Sequence, residues 1–361
     1  MNSTQQLLLH RVSQALFGTP DTSPLSDEVL AEARAQAILS LISNDFPAIV
    51  ANIRCTAAHA ELSKILADIP FTTFKGYASA YYYPKPENRT MGDVDFIVAP
   101  EHYQEALDRL LQAGWSSVEH SCDHHEMLRK GKTIFELHWK VNGVPDDPEA
   151  KVNLLLADLV DTAVRVETPQ GAIMIPDEFH HGLVMLLHVA HHMTESQGIG
   201  LRHLCDWAVY VNRVDLEKYR DRLAEAGLWT FARQLTAVSS AYLGMPPKPW
   251  AGEWSKAFLE EIIDDFLSAG NFGRKESGRV QAQKMEKSFL KMTEEKVPIS
   301  RKHPVLLPFA AVFHFVRYGF RILTGKAKIV KLSTLTRAKE RRRLYEQFQL
   351  FREDKQSKGS K

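Results

Sequence analysis

The chain has 361 residues, 44% of them apolar and 25% charged, which is the composition of an ordinary folded protein with enough sequence for two packed cores. Its formal charge is +1, yet residues 301–361 carry sixteen basic against four acidic side chains, a net of +12, which leaves residues 1–300 at −11. An acidic body argues against long nucleic acid as a substrate, and Cys55, Cys122 and Cys205 lie too far apart for a CxxC pair or a disulfide framework.

Met1 to Phe17 reads as an amphipathic segment rather than a secretory leader, which predicts a cytoplasmic protein. Apolar positions then recur at helical spacing through Leu30, Ala33, Ala37 and Leu41, and again through Ile49, Ile53, Ala57, Leu62 and Leu66. Ile69 to Phe74 is short, apolar and partly β-branched, so it predicts a strand running through Lys75-Gly76 into a helix. A second strand is expected at Met91 to Val98. Pro100 to Gly114 follows as a helix, with Tyr103, Leu107, Leu110 and Leu111 in register and a glycine to end it. His125 to Lys130 and Lys132 to Val141 predict a hairpin about Gly131-Lys132, and Thr162 to Ile175 a weaker one about Pro169-Gln170-Gly171. From Pro176-Asp177-Glu178 onward helical periodicity dominates to about Phe351. The expected class is therefore α+β. N-terminal helices over 1–68 pack on a small mixed-sheet core over 69–175, followed by an α-helical domain over 176–352 and a charged, disordered tail over 353–361.

Asp93 and Asp95 stand two apart in a predicted strand, so both carboxylates leave one face while Val94 and Phe96 turn to the other. Like charges this close raise each other's pKa unless a cation neutralises them, which Mg²⁺ does through oxygen ligands. In the strand Lys132 to Val141, Glu136 shares a polar face with His138 and Lys140, opposite Phe135, Leu137, Trp139 and Val141. If the two strands are neighbours, three carboxylates converge. Such a set suits two metal ions about 3.5–4 Å apart that orient a triphosphate. Glu136 would complete the metal site or accept the proton of an attacking hydroxyl. Asp-x-Asp alone is also what an exposed strand face carries.

The series Phe74-Lys75-Gly76, Tyr83-Pro84, Arg89, Gly92-Asp93-Val94-Asp95-Phe96-Ile97-Val98 and Glu136-Leu137-His138-Trp139 resembles the uncharacterised nucleotidyltransferase family of bacteria. That family is a divergent branch of the DNA polymerase β-like superfamily, and the resemblance runs from about Ala33 to Pro308. It implies Asp93, Asp95 and Glu136 as catalytic metal ligands for Mg²⁺ or Mn²⁺, and Lys75, Gly76, Arg89 and Gly92 at a nucleoside triphosphate. Tyr77 stands where the superfamily has a small residue, which moves the phosphate contacts onto Lys75 and Arg89. The implied reaction moves a nucleoside monophosphate to a hydroxyl or phosphate of an unidentified acceptor (small molecule, peptide or protein) and releases pyrophosphate. Two rival readings are a catalytically weak nucleotide-sensing module on the same fold and a membrane-peripheral scaffold using the basic C-terminus.

Other side chains carry two readings each. Lys75 is also readable as a surface lysine, and Arg89 as the partner of Asp95 or Glu87. His138 either hydrogen-bonds Glu136 or an acceptor, or packs beside Trp139. His188, His191 and His192 recur at helical spacing without an HExxH motif, which favours a helix lining the cleft, with one histidine near substrate, over a zinc site. Arg202 and Asp206, four apart, suit an intrahelical ion pair or a contact to nucleotide or acceptor. Gly270-Asn271-Phe272-Gly273 resembles a loop of that family but reads better as a helix cap and turn, and the apolar run Val305 to Val316, followed by lysines and arginines, as a packed helix or one lying on an anionic membrane.

Overall fold

The computed structural model describes residues 1–118, 125–145, 147, 149–194, 198–273, 275, 306, 308–310, 312–313, 316–317 and 340–352. Four helices lead: α1 (Ser3–Phe17), α2 (Asp27–Ala35), α3 (Leu39–Ile42) and α4 (Phe46–Ile65). Asn2 and Gln5 cap α1 reciprocally: the Asn2 side chain accepts from the Gln5 N–H at 2.9 Å and the Gln5 side chain from the Asn2 N–H at 3.0 Å. Next come β1 (Phe71–Thr73), α5 (Gly76–Ala80), β2 (Val94–Val98), α6 (Tyr103–Gln112), β3 (Ser116–Ser117), β4 (His125–Lys130) and β5 (Thr133–His138). Then follow α7 (Lys151–Leu155) and a separate hairpin, β6 (Val164–Thr168) and β7 (Gly171–Ile175).

The five-stranded sheet has the order β1-β2-β5-β4-β3, with β2 and β5 parallel and the other neighbours antiparallel. The parallel pair sets Asp95 beside Glu136 and Ile97 beside His138. Because side chains alternate along a strand, Val94, Phe96, Phe135 and Leu137 share the other face, where all four are fully buried. Helices α4 and α6 and strand β7 cover that face through Leu62, Ala106, Leu110 and Ile173. The α+β class expected from the sequence is the one found, and β1, β2, β4 and β5 fall inside their predicted segments.

The helical half consists of α8 (Glu178–Thr194), α9 (Leu201–Arg213), α10 (Arg220–Glu225), α11 (Trp229–Leu243) and α12 (Lys256–Ala269). Helix α8 is buried continuously from Phe179 to Ala190, so it crosses the interior. It meets α9 closely at Gly182, where a Cβ would fall 2.4 Å from Tyr210 Oη. The N-terminal helices divide between two cores. Leu8, Val12, Val29 and Leu41 from α1 to α3 join the core of α8, α9, α11 and α12, whereas Cys55, Ala58 and Leu62 of α4 join the sheet core. Of the helices over 1–68 expected to pack on the sheet core, α4 lies there and α1 to α3 lie on the helical half. One face of the sheet is already covered and the other carries carboxylates, so the apolar sides of α1 to α3 find burial on the helical half.

Cys55 and Cys205 are buried free thiols. Cys122 and the tail over 353–361 lie outside the described residues, as does most of the basic segment. Among the described residues no helix is long and apolar enough to cross a membrane.

Candidate active site

Asp93 is the last residue before β2 rather than part of it. The segment that delivers it is pinned by buried side chains. Asn52 on α4 donates from Nδ2 to the Glu87 carbonyl at 2.8 Å and accepts from the Met91 N–H at 3.0 Å, and Ser40 donates to the Asn88 carbonyl at 2.8 Å. Carboxylate oxygens of Asp93, Asp95 and Glu136 consequently lie within 4.8 Å of one another. Lys75 Nζ is 2.7 Å from Asp95 Oδ1, and His138 Nε2 is 3.1 Å from the same oxygen and 3.5 Å from Glu136 Oε2. His125 on β4 approaches Glu136 Oε1 at 3.8 Å.

The three acids do not share one electrostatic state. Burial raises the Asp95 carboxyl, but the charge of Lys75 and the hydrogen bond from His138 outweigh it and hold Asp95 well below the usual carboxylate range. Asp93 has no such close cation among the described residues. The negative charge of Asp95 above all, then burial and Glu136, pushes it up to about 6. A divalent cation among these hard oxygen donors would remove that repulsion, so the donor set fits Mg²⁺ or Mn²⁺. Lys75 reaches its position through a backbone in the left-handed region, at φ +61°, which is unusual for a side chain with a Cβ and marks a constrained turn into α5.

Asp93 and Asp95 open onto a cavity of about 520 Å³ between sheet and helical half, lined also by Lys75, Arg89, Gly92, His188, Arg202 and Phe272 among others. Arg89 is buried, and its charge is already matched: Nε lies 2.8 Å from Asp206 Oδ1 and Nη2 2.7 Å from Oδ2. Tyr83 Oη donates to the same Asp206 at 2.8 Å. Asp206 thus pairs across the chain with Arg89 and leaves Arg202, its neighbour one turn away. Arg202 donates to the Thr90 carbonyl at 3.2 Å, while its Nε is buried without a hydrogen-bond partner among the described residues.

A family model described as "Uncharacterised nucleotidyltransferase" matches residues 4–244, two thirds of the sequence and all of the strands that carry the carboxylates. The chain belongs to that family. No curated protein and no solved structure matches it. Membership supports nucleotidyl transfer as its general activity.

The two glycines of this nucleotidyltransferase cavity differ. Gly76 has φ +39°, and a Cβ there would fall 2.6 Å from His59 Nε2, so the space beside its backbone is filled by a buried imidazole. A Cβ on Gly92 would meet nothing within 4 Å, and this glycine stands open to the cavity. His59 was invisible to motif reading. It lies on α4, where its Nδ1–H donates to the Cys55 carbonyl at 2.8 Å and its Nε2 accepts from the Tyr77 N–H at 3.3 Å. Asn271, from the Gly270-Asn271-Phe272-Gly273 turn, lines the cavity too, as do His203 and Arg34, which carry no motif of their own. Their only sequence signal was helical phase, which places a residue on a face without saying what the face meets.

Proposed function

We propose that the chain transfers a nucleoside monophosphate from a nucleoside triphosphate to a hydroxyl or phosphate of an acceptor, with release of pyrophosphate and with Mg²⁺ or Mn²⁺ bound by Asp93, Asp95 and Glu136. The observation that carries this is the convergence of three carboxylates, one of them raised to about 6 and two of them lining a cavity, in a nucleotidyltransferase family member. A bound divalent ion there supplies charge neutralisation for the triphosphate and the departing pyrophosphate. The chain's own groups do the rest. Lys75 and His138 keep Asp95 ionised and oriented, and Glu136 completes the metal site or, with a hydroxyl acceptor, takes its proton. The acceptor oxygen bonds to the α-phosphorus as the bond to the bridging oxygen breaks, and pyrophosphate leaves with that electron pair.

Incubation of the purified chain with each α-labelled nucleoside triphosphate, Mg²⁺ or Mn²⁺ and candidate acceptors tests the reading. Labelled acceptor and pyrophosphate are expected from wild type and lost in Asp93→Ala/Asp95→Ala. Absence of both products with every acceptor, alongside nucleotide binding that survives chelation, would favour the sensing module. A second reading concerns location. Phe309, Val312, Phe313 and Val316 are each at least 60% exposed and precede a lysine- and arginine-rich stretch, which supports contact with an anionic bilayer. Cosedimentation with anionic but not neutral vesicles, lost when residues 305–361 are deleted, is the expected result; equal sedimentation with both would remove it.

A further inference from the structure

Four cations line the cavity: Arg34, Lys75, Arg89 and Arg202. Lys75 is held by Asp95 and Arg89 by Asp206. Arg34 sits exposed at the rim. Arg202 is the cation that is at least half-buried and yet has no carboxylate within ion-pair range among the described residues. Burial and the charge of Arg89 both act to lower its pKa, so its guanidinium is held in an unfavourable electrostatic position.

The surroundings of Arg202 share that incompleteness. Its Nε, His188 Nδ1 and Asn271 Oδ1 are all buried without a hydrogen-bond partner among the described residues, and all three residues line the same cavity. Native interiors leave few such groups, and with His181 Nε2 and His203 Nδ1 the lining of this one cavity holds five, which points to a missing ligand. The wall is rigid. Gln36 accepts from the Leu201 N–H at 2.9 Å and donates to the Leu267 carbonyl at 3.0 Å, which joins the starts and ends of three helices. A Cβ on Gly200 would fall 2.8 Å from Asn271 N, so α9 and the 270–273 turn are in direct contact. Phe272 in that turn has φ +54° and presents its ring 5.7 Å from the Arg202 guanidinium, with His203 and His188 on its other sides. Burial, together with the neighbouring cations and imidazoles, keeps His188 and His203 well below the ordinary histidine range, hence neutral.

We propose that Arg202, His188, Asn271 and Phe272 form a second subsite in the cavity, on the side of the helical half, that binds a phosphate group. A planar guanidinium whose Nη1 and Nη2 are held by the Thr90 carbonyl and His203 Nε2 still has N–H groups to offer a phosphate, a neutral imidazole adds a donor without adding charge, and Asn271 Oδ1 can accept from a protonated phosphate oxygen. The phosphate comes from one of two sources, the terminal phosphates of the nucleotide or a phosphate carried by the acceptor. Its place in a reaction rests on the nucleotidyl-transfer reading; the anion site itself does not.

The test is a calorimetric titration of the full chain with inorganic phosphate in the presence of chelator, with acetate as control. Saturable phosphate binding is expected in wild type. Arg202→Gln should weaken it at least tenfold and Arg202→Lys less, with both variants melting near wild type. Asn271→Leu, which leaves the charges of α9 intact, should weaken it severalfold and serves if Arg202→Gln does not fold. No phosphate binding in wild type, binding no tighter than acetate, or equal binding in the variants would overturn the proposal. Adding ATP with Mg²⁺ separates the sources: displacement of phosphate assigns the subsite to the triphosphate, and joint binding assigns it to the acceptor. Loss of nucleotidyl transfer with phosphate binding intact would count against the reaction alone.

Discussion

Charge at single residues decides how the cluster behaves. Asp95 is tied to Lys75 and His138, whereas Asp93 faces two like charges, so the two aspartates should fail differently. Asp95→Asn removes the negative charge that a partly buried lysine is paired with, and is expected to abolish transfer and lower stability together. Asp93→Asn removes repulsion, and is expected to abolish transfer while holding or raising the melting temperature without metal. Equal melting losses in both would show that the repulsion is absent. The glycines make a second pair. Gly76→Ala adds a Cβ at a positive φ against His59, a strain worth about 1–3 kcal/mol. Gly92→Ala meets nothing, so its melting should match wild type, and any cost should appear in the KM for the nucleotide.

At the scale of elements, the join between sheet and helical half runs through a buried ion pair. Arg89 precedes β2 and Asp206 lies on α9, and both are less than 6% exposed. Asp206→Asn leaves Arg89 buried without its partner, which costs about 3–5 kcal/mol for a pair of this kind. Chemical denaturation would register that loss, and a change below about 1 kcal/mol would mean that the pair is matched by solvent. This pairing also shows where the sequence stopped being informative. The strands were legible because alternation in Phe135-Glu136-Leu137-His138 and the turn at Gly131 are local signals, and from adjacency of two strands the meeting of Asp93, Asp95 and Glu136 followed. Arg202 and Asp206 at helical spacing suggested a pair within α9, yet a bidentate partner 117 positions away in sequence took the carboxylate. Long-range competition of this sort leaves no periodicity. The same holds for Asn52 and His59, polar residues inside an apolar helix whose partners lie on the far side of a loop.

Over the whole molecule, several histidines are buried as neutral rings, and that sets the acid limit of the fold. Burial above all lowers His59 to about 4 and His181 to about 3. The unfolded chain takes up these protons near pH 6.5 and the native one does not, so between those values the unfolded state binds more protons and stability falls as pH falls. Each such ring contributes a slope of about 1.4 kcal/mol per pH unit. By pH 5 the two together cost about 4 kcal/mol, a large part of the 5–15 kcal/mol typical of a folded protein. His180 acts in the opposite direction. Burial lowers it, but hydrogen bonding and charge from Asp177, with Asp158, outweigh that and hold it above its ordinary value. Its contribution is complete below the unfolded pKa and is lost as pH rises through the folded one. Urea midpoints measured from pH 5 to 8 should therefore drop steeply on the acid side. His181→Asn should flatten that acid slope, since the ring stacked on Tyr82 at 5.1 Å no longer has a proton to refuse. His180→Asn should lower the midpoint most at pH 5 to 6 and least at pH 8, and an unchanged acid slope in His181→Asn would show that this ring is protonated in the native state.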